Sequence, residues 1–302
     1  MLGELAGAFA HRWKHKSASA ALSRTWLAAR HTPVLVMVRP LFVNAAYRRH
    51  MALFEDRPGP LFFLDKYLAR GLTTHQRAAA ALHHYRHEVE AHGSTYFDAV
   101  YQRGGLVLWK ADTADGSFEI RLTPGVDVPD EGGLSVCALH DGARMCVMSY
   151  CTVPIGLLVQ GIEPSSSEAT MFIARKQMSA DRGYQRAFNK AFDRTTPAHL
   201  CFAAVEGIAT AHGMHRVLGV SALAHLSFAP ASAVQFEHAY GDFWTSLAGK
   251  PAPPFAHAIG LPMQLTPLDT LEPKARKRAI ARRAHIEAVR LSALETLRGH
   301  LR

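Results

Sequence analysis

The chain has 302 residues, 48% of them hydrophobic and 20% charged, which excludes global disorder and allows one large domain or two small ones. Its net charge of +9 is lodged at the ends: residues 1–50 and 274–302 each carry a net +7, and residues 51–273 a net −5. Such ends suit an anionic membrane surface, nucleic acid or an acidic partner, and as solvated helices they need none of these.

Residues 4–30 are predicted to be helical, with Trp13 and Trp26 among basic residues. Such a helix either docks on the body by its Leu and Trp side or lies on a membrane surface. No apolar h-region marks a secretory signal there. The apolar run from Pro33 to Val38 stops at Arg39-Pro40, far short of the roughly 20 apolar residues a membrane span needs. Pro33, Pro40, Pro58 and Pro60 preclude one long helix in the next stretch.

Thr73 with Gln76 has capping-box spacing and opens a predicted helix that runs to about Ala91, with Gly93 ending it. The helix carries His83, His84, His87 and, at its end, His92. His83 and His87 share a face, but packing and surface roles explain this composition without a metal. His87-Glu88-Val-Glu-Ala-His92 has one residue too many for a zinc-protease motif, so that reading is rejected.

From Gly105 to Val153 the pattern turns to strands. Leu106–Trp109 and Phe118–Leu122 flank Asp115-Gly116; Leu134–Leu139 and Met145–Tyr150 flank Asp141-Gly142, the strongest hairpin signal in the chain. The apolar run Leu157–Gln160 then leads toward the next unit. The four cysteines, Cys137, Cys146, Cys151 and Cys201, form no C-x-x-C pair and suit a reducing compartment. A cytoplasmic protein is the expectation.

The stretch from Ala169 to Ser221 is the predicted centre of the fold. An apolar strand over 169–174 leads into a polar turn over 175–183, then two helical segments ending at Gly213, then a strand over 216–221. Ligands on such cores sit beyond the carboxyl ends of the strands. Those ends carry Arg175, Lys176 and Gln177 on one side, Ser221 and His225 on the other. After Ser221 the chain reads as irregular, with the aromatic cluster Tyr240-Gly-Asp242-Phe-Trp244, the loop Pro251-Ala-Pro-Pro254 and an extended stretch over 262–267. From Lys274 onward it is helical and basic. The predicted class is α/β (α+β): a single mixed β-sheet with flanking helices. Residues 1–50 form a basic helical extension, 51–273 the core, and 274–302 a basic C-terminal helix.

Several motifs, in order, resemble the VirK/YbjX family of Gram-negative bacterial proteins. They are Arg39-Pro-Leu-Phe42, Phe63-Leu64 with Lys66-Tyr67, Leu82-His-His-Tyr85, the run ending at Trp109, Ile120-Arg121-Leu122, the Asp141-Gly142 hairpin, Gly219-Val-Ser221, Asp242-Phe-Trp244 and the closing basic helix. The resemblance covers about residues 39–283. It implies a role in the cell envelope, in virulence or in resistance to antimicrobial peptides, and it implies no particular reaction. Family members typically read Gly-Arg-x-Gln-Gly at the central turn; here the stretch is Ala174-Arg-Lys-Gln-Met178, so Arg175 and Gln177 match and both glycines are lost.

Two functional readings follow. In the first, the plan is acetyltransferase-like: Arg175, Lys176, Gln177 and Trp244 bind a phosphate-bearing donor, and Ser221, His225 or Asp242 moves a proton. In the second, the chain is a non-catalytic peripheral protein that binds a lipid or peptide, its basic ends lying on the inner membrane. No cofactor is identified, and the basic stretches lack the interleaved aromatics of a nucleic-acid surface. Arg175, Gln177, Ser221 and Asp242 are expected to line one cavity.

Overall fold

The structure, a computed structural model, describes residues 66–125, 131–161 and 168–302, together with Val36. The helical reading of residues 4–30 lies outside these residues.

Helix α1 spans Thr74–Ala91. Its start is the predicted capping box: the Gln76 N–H donates to the Thr73 hydroxyl at 3.2 Å, and the Thr73 N–H donates to the Gln76 side chain at 2.9 Å. A short helix α2, Ser94–Phe97, and a wide turn over Asp98–Gln102 lead to the sheet. Strands β1 (Leu106–Thr113), β2 (Gly116–Pro124), β3 (Leu134–His140) and β4 (Ala143–Pro154) form an antiparallel meander. Asp141 and Gly142 join β3 to β4 with φ of 48° and 80°, the left-handed pair that a two-residue hairpin requires.

Strand β5 (Ala169–Met178) is followed by helices α3 (Arg182–Ala191) and α4 (Pro197–Ala211), then β6 (Arg216–Val220). Next come α5 (Ala233–Phe236), a wide turn over Glu237–Gly241, α6 (Asp242–Ser246), β7 (Lys250–Ala252), β8 (Ala256–Gly260) and α7 (Pro273–Arg298). One eight-stranded sheet results, in the order β1-β2-β3-β4-β5-β6-β8-β7. This is the single mixed sheet with flanking helices that the sequence predicts. The helical crossover makes β5 and β6 parallel, and the other neighbouring strands described are antiparallel.

Helix α4 is buried along most of its length, and its N-terminus is capped by Thr196, with Pro197 in the first turn. The second half of α7 packs through Val289, Ala293, Leu294 and Leu297, and the Ser292 hydroxyl donates to the Leu108 carbonyl at 2.7 Å. The basic C-terminal helix is therefore part of the core in its second half and an extension only in its first. The apolar run Leu157–Gln160 follows from a 3₁₀ turn at Ile155–Leu157, with one isolated bridge from Val159 to Pro254. One local expectation is corrected. The stretch after Ser221 contains β7 and β8. Strand β8 carries one large aliphatic side chain, Ile259, and forms because β6 offers it a free edge in register from Arg216 to Val220.

Candidate functional site

The carboxyl end of β5 departs from the rest of the sheet. Residues Met171, Phe172 and Ile173 pair with Val217, Leu218 and Gly219 of β6, after which that pairing stops. On its other side β5 keeps pairing with β4 as far as Met178, with a register shift between Ser149–Arg175 and Tyr150–Ile173 that leaves Ala174 as the extra residue of a bulge. The predicted polar turn at Arg175–Gln177 is thus strand. Polar residues continue the strand there because the long β4 supplies backbone partners out to Cys146.

The bulge separates the surroundings of neighbouring side chains. Thr123, Ser135, Ser149 and Arg175 are register partners across four strands, and such partners share a face. The Ser135 and Ser149 hydroxyls meet at 2.9 Å on this polar rung. The Nζ of Lys176 instead lies 4.6 Å from the Phe243 ring centroid and 5.9 Å from that of Tyr240.

A cavity of about 470 Å³ opens where β5 and β6 part. Glu131, Arg175, Gln177, His225, Phe236 and Tyr240 are among its lining residues. Arg175 Nε stands 3.2 Å from a Glu131 oxygen, with both side chains largely buried, and the Arg175 guanidinium also donates to Gln177. The second Glu131 oxygen is 3.8 Å from His225 Nε2.

The histidine's tautomer follows from its partners. The Ser227 N–H donates to His225 Nδ1 at 3.1 Å, so the ring proton of the neutral form sits on Nε2. That N–H faces the Tyr240 hydroxyl at 2.8 Å, and the hydroxyl in turn donates to the Lys176 carbonyl at 3.2 Å. Burial, and then the Arg175 charge, bring the His225 imidazole down to about 4. Burial raises the Tyr240 hydroxyl above its ordinary value. At neutral pH both are hydrogen-bond donors, and Glu131 contributes the carboxyl group of the cavity lining.

Four residues of the sequence-based site, Arg175, Lys176, Gln177 and His225, come together here. Ser221, Asp242 and Trp244 do not line the cavity, so the expectation of one cavity shared by Arg175, Gln177, Ser221 and Asp242 holds only for the first two. Ser221 directly follows β6, but its N–H donates to the Phe255 carbonyl, which ties it toward β8. Asp242 is exposed and pairs with His238 at 2.6 Å. Trp244 is fully buried, donates from its indole to the Val220 carbonyl at 2.8 Å, and lies so close over Gly219 that a Cβ there would meet the ring at 2.3 Å. Its role is to pack the end of β6. Sequence reasoning missed Glu131, which precedes two glycines in no motif. It also left out Phe236 and named Tyr240 only as part of an aromatic cluster. Their spacing of four is a helical-face signal, and their rings stack with centroids 5.9 Å apart.

The histidine-rich helix builds something different. His87 and His92 of the α1 end pack against His212 at 4.8 and 5.1 Å between centroids. Buried Glu88 accepts the Tyr101 hydroxyl at 2.8 Å. Among the described residues, no group of three His, Cys, Asp or Glu side chains is placed to hold a metal ion. No described helix is long and apolar enough to cross a membrane.

Fold and site together define a mixed-sheet α/β protein with a ligand-sized cavity at the parting of its parallel strands. The chain belongs to the family described as a protein of unknown function (DUF535), which matches residues 44–291 and is the family that contains VirK/YbjX. Neither the curated proteins nor the solved structures include a match to it.

Proposed function

We propose that the chain is an acyltransferase-like enzyme of the cell envelope, using a phosphate-bearing acyl donor held in the gap between β5 and β6. The observation behind this reading is the parting of the parallel pair at a bulge, with a cavity of about 470 Å³ in the gap. A strand meander followed by strand, helices and strand is loosely the acetyltransferase-like plan. The envelope role is carried over from the VirK/YbjX resemblance.

In this reading Glu131 takes the proton of an acceptor hydroxyl or amine as its oxygen or nitrogen attacks the acyl carbon. The bond to the donor's sulfur breaks, and the departing thiolate takes a proton from solvent. The charge of Arg175, which lines the cavity, stabilises the oxyanion that forms meanwhile. Ser221 and Asp242 take no part in these steps.

A second reading, a non-catalytic lipid- or peptide-binding protein, is favoured by the start of α3. The Asp181 carboxylate already accepts the N–H groups of Gly183 and Tyr184, at 2.6 and 3.4 Å, where a pyrophosphate would need free donors. Calorimetric titration with acetyl-coenzyme A separates the two. Saturable binding by the wild type that is lost in Ala239→Trp, a change that fills the cavity, supports the enzyme. A protein that ignores acetyl-coenzyme A but retains a lipid or peptide through purification supports the second reading.

A further inference from the structure

The first half of α7 projects from the body: Pro273–Arg278 is exposed throughout, as are Ile280 and Arg282. Arg276 and Arg283 are engaged with carbonyls of the preceding segment, Leu268, Asp269 and Leu271 for the one and Thr266 for the other. Lys274, Lys277, Arg278 and Arg282 meet no carboxylate among the described residues. Their spacing of three, four and eight from Lys274 puts them on one side of the helix.

The fold itself gains nothing from this placement. A helix N-terminus is the positive end of the backbone dipole and favours acids, and the first turn of α7 holds none. Lys274 stands in that first turn, Lys277, Arg278 and Arg282 follow on the same side, and no carboxylate among the described residues offsets them, so this side of the helix offers its charge to an anionic surface.

The cations share an end of the molecule with the cavity. Helix α7 runs beside α4, with Leu297 near Ile208 and His212 at one end. At the other end, His199 in the first turn of α4 is held below its usual value by burial first, then by Lys176 and Arg282. The His199 ring lies 5.3 Å from Phe243, the ring that Lys176 of β5 covers from 4.6 Å. Apolar side chains are exposed at this same end: Leu223 and Val234, two and one residues from the lining residues His225 and Gln235, are 70% and 65% exposed, and Ile280 is 52% exposed.

We propose that this end of the molecule docks on an anionic lipid bilayer. Lys274, Lys277, Arg278 and Arg282 meet headgroup phosphates, Ile280, Leu223 and Val234 enter the apolar boundary, and the cavity faces the membrane. A nucleic-acid backbone would satisfy the cations but has no use for the three apolar side chains. The proposal stands whether the cavity transforms its ligand or only holds it.

The test is flotation of the full chain with phosphatidylcholine vesicles, with and without phosphatidylglycerol, at low and high salt. The wild type is expected to bind only the anionic vesicles and to leave them at high salt. Joint replacement K274E/K277E/R278E/R282E is expected to cut the bound fraction about tenfold or more, and L223S/V234S/I280S to cut it severalfold, each with an unchanged circular dichroism spectrum. Equal binding to both vesicle types, or full binding by the charge-reversed chain, overturns the proposal. Loss on charge reversal but none on L223S/V234S/I280S also overturns it, since the surface would then be a general polyanion site.

Discussion

Under α1, His87, Glu88, His92 and His212 border a void of about 10 Å³; past β5, Glu131, Arg175, His225 and Tyr240 border a cavity of about 470 Å³. Both clusters hold titratable groups far from their ordinary values. Burial brings His87 and His92 down to about 4, His212 to about 3 and Glu88 up to about 7, much as it brings His225 down to about 4. A displaced pKa therefore does not single out a site in this molecule. Access does. The first void is too small for a substrate, and its polar groups serve to join α1 to α4 and the end of α7. The second is open at the end of the sheet where strand pairing stops.

If the α1 cluster is structural, acid should give the largest effect. Each of its histidines stays neutral in the fold down to about 4 or 3, while the unfolded chain binds the same proton from 6.5. The unfolded state thus binds more protons across that window, and stability falls as pH falls. Glu88 opposes this, because its folded carboxyl keeps its proton up to about 7 and its unfolded one only to 4.5, so its contribution is lost as pH rises between those values. Three imidazoles outweigh one carboxyl. Urea denaturation should show a net loss on the order of several kcal/mol between pH 6.5 and pH 4; a flat profile would break the comparison.

Next in size is Glu88→Ala. It deprives the Tyr101 hydroxyl of its acceptor and enlarges the void, at a cost of about 2–4 kcal/mol in urea denaturation. Arg175→Ala should cost less, about 1–3 kcal/mol, because it leaves the buried Glu131 carboxylate without its arginine at the edge of an open cavity. Adding Glu131→Gln should recover part of that loss, and a double-mutant cycle that shows strict additivity would deny the pair. Smallest of all, Ser221→Ala and Asp242→Ala should each move stability by about 0.5 kcal/mol or less and leave ligand binding unchanged.

The sequence made the fold legible where local chemistry is strong. The Thr73–Gln76 cap, the Asp141-Gly142 turn and the β5–helix–β6 crossover each carry their instruction within a few residues. It was less clear at Arg175–Gln177, whose polarity suggests a turn, because the partner that keeps them in strand is β4, whose residues lie some 30 positions earlier. Glu131 is the same case in the site. Its partner Arg175 is 44 residues away in sequence, and only the register of the sheet brings them together. Asp242 and Trp244 stood out by composition, yet one is spent on a local pair with His238 and the other on Gly219. Tyr240, two residues earlier, is the member of that cluster that reaches the cavity.

The claim that the cavity past β5 is the ligand site is met most directly by native mass spectrometry of the freshly purified full chain beside Ala239→Trp. The expected result is a wild-type spectrum carrying a bound nucleotide, acyl-carrier group or lipid that the variant lacks, with both proteins equally folded. The same adduct on both chains, or a ligand that stays with Ala239→Trp but leaves when His212 or Glu88 is replaced, would contradict it.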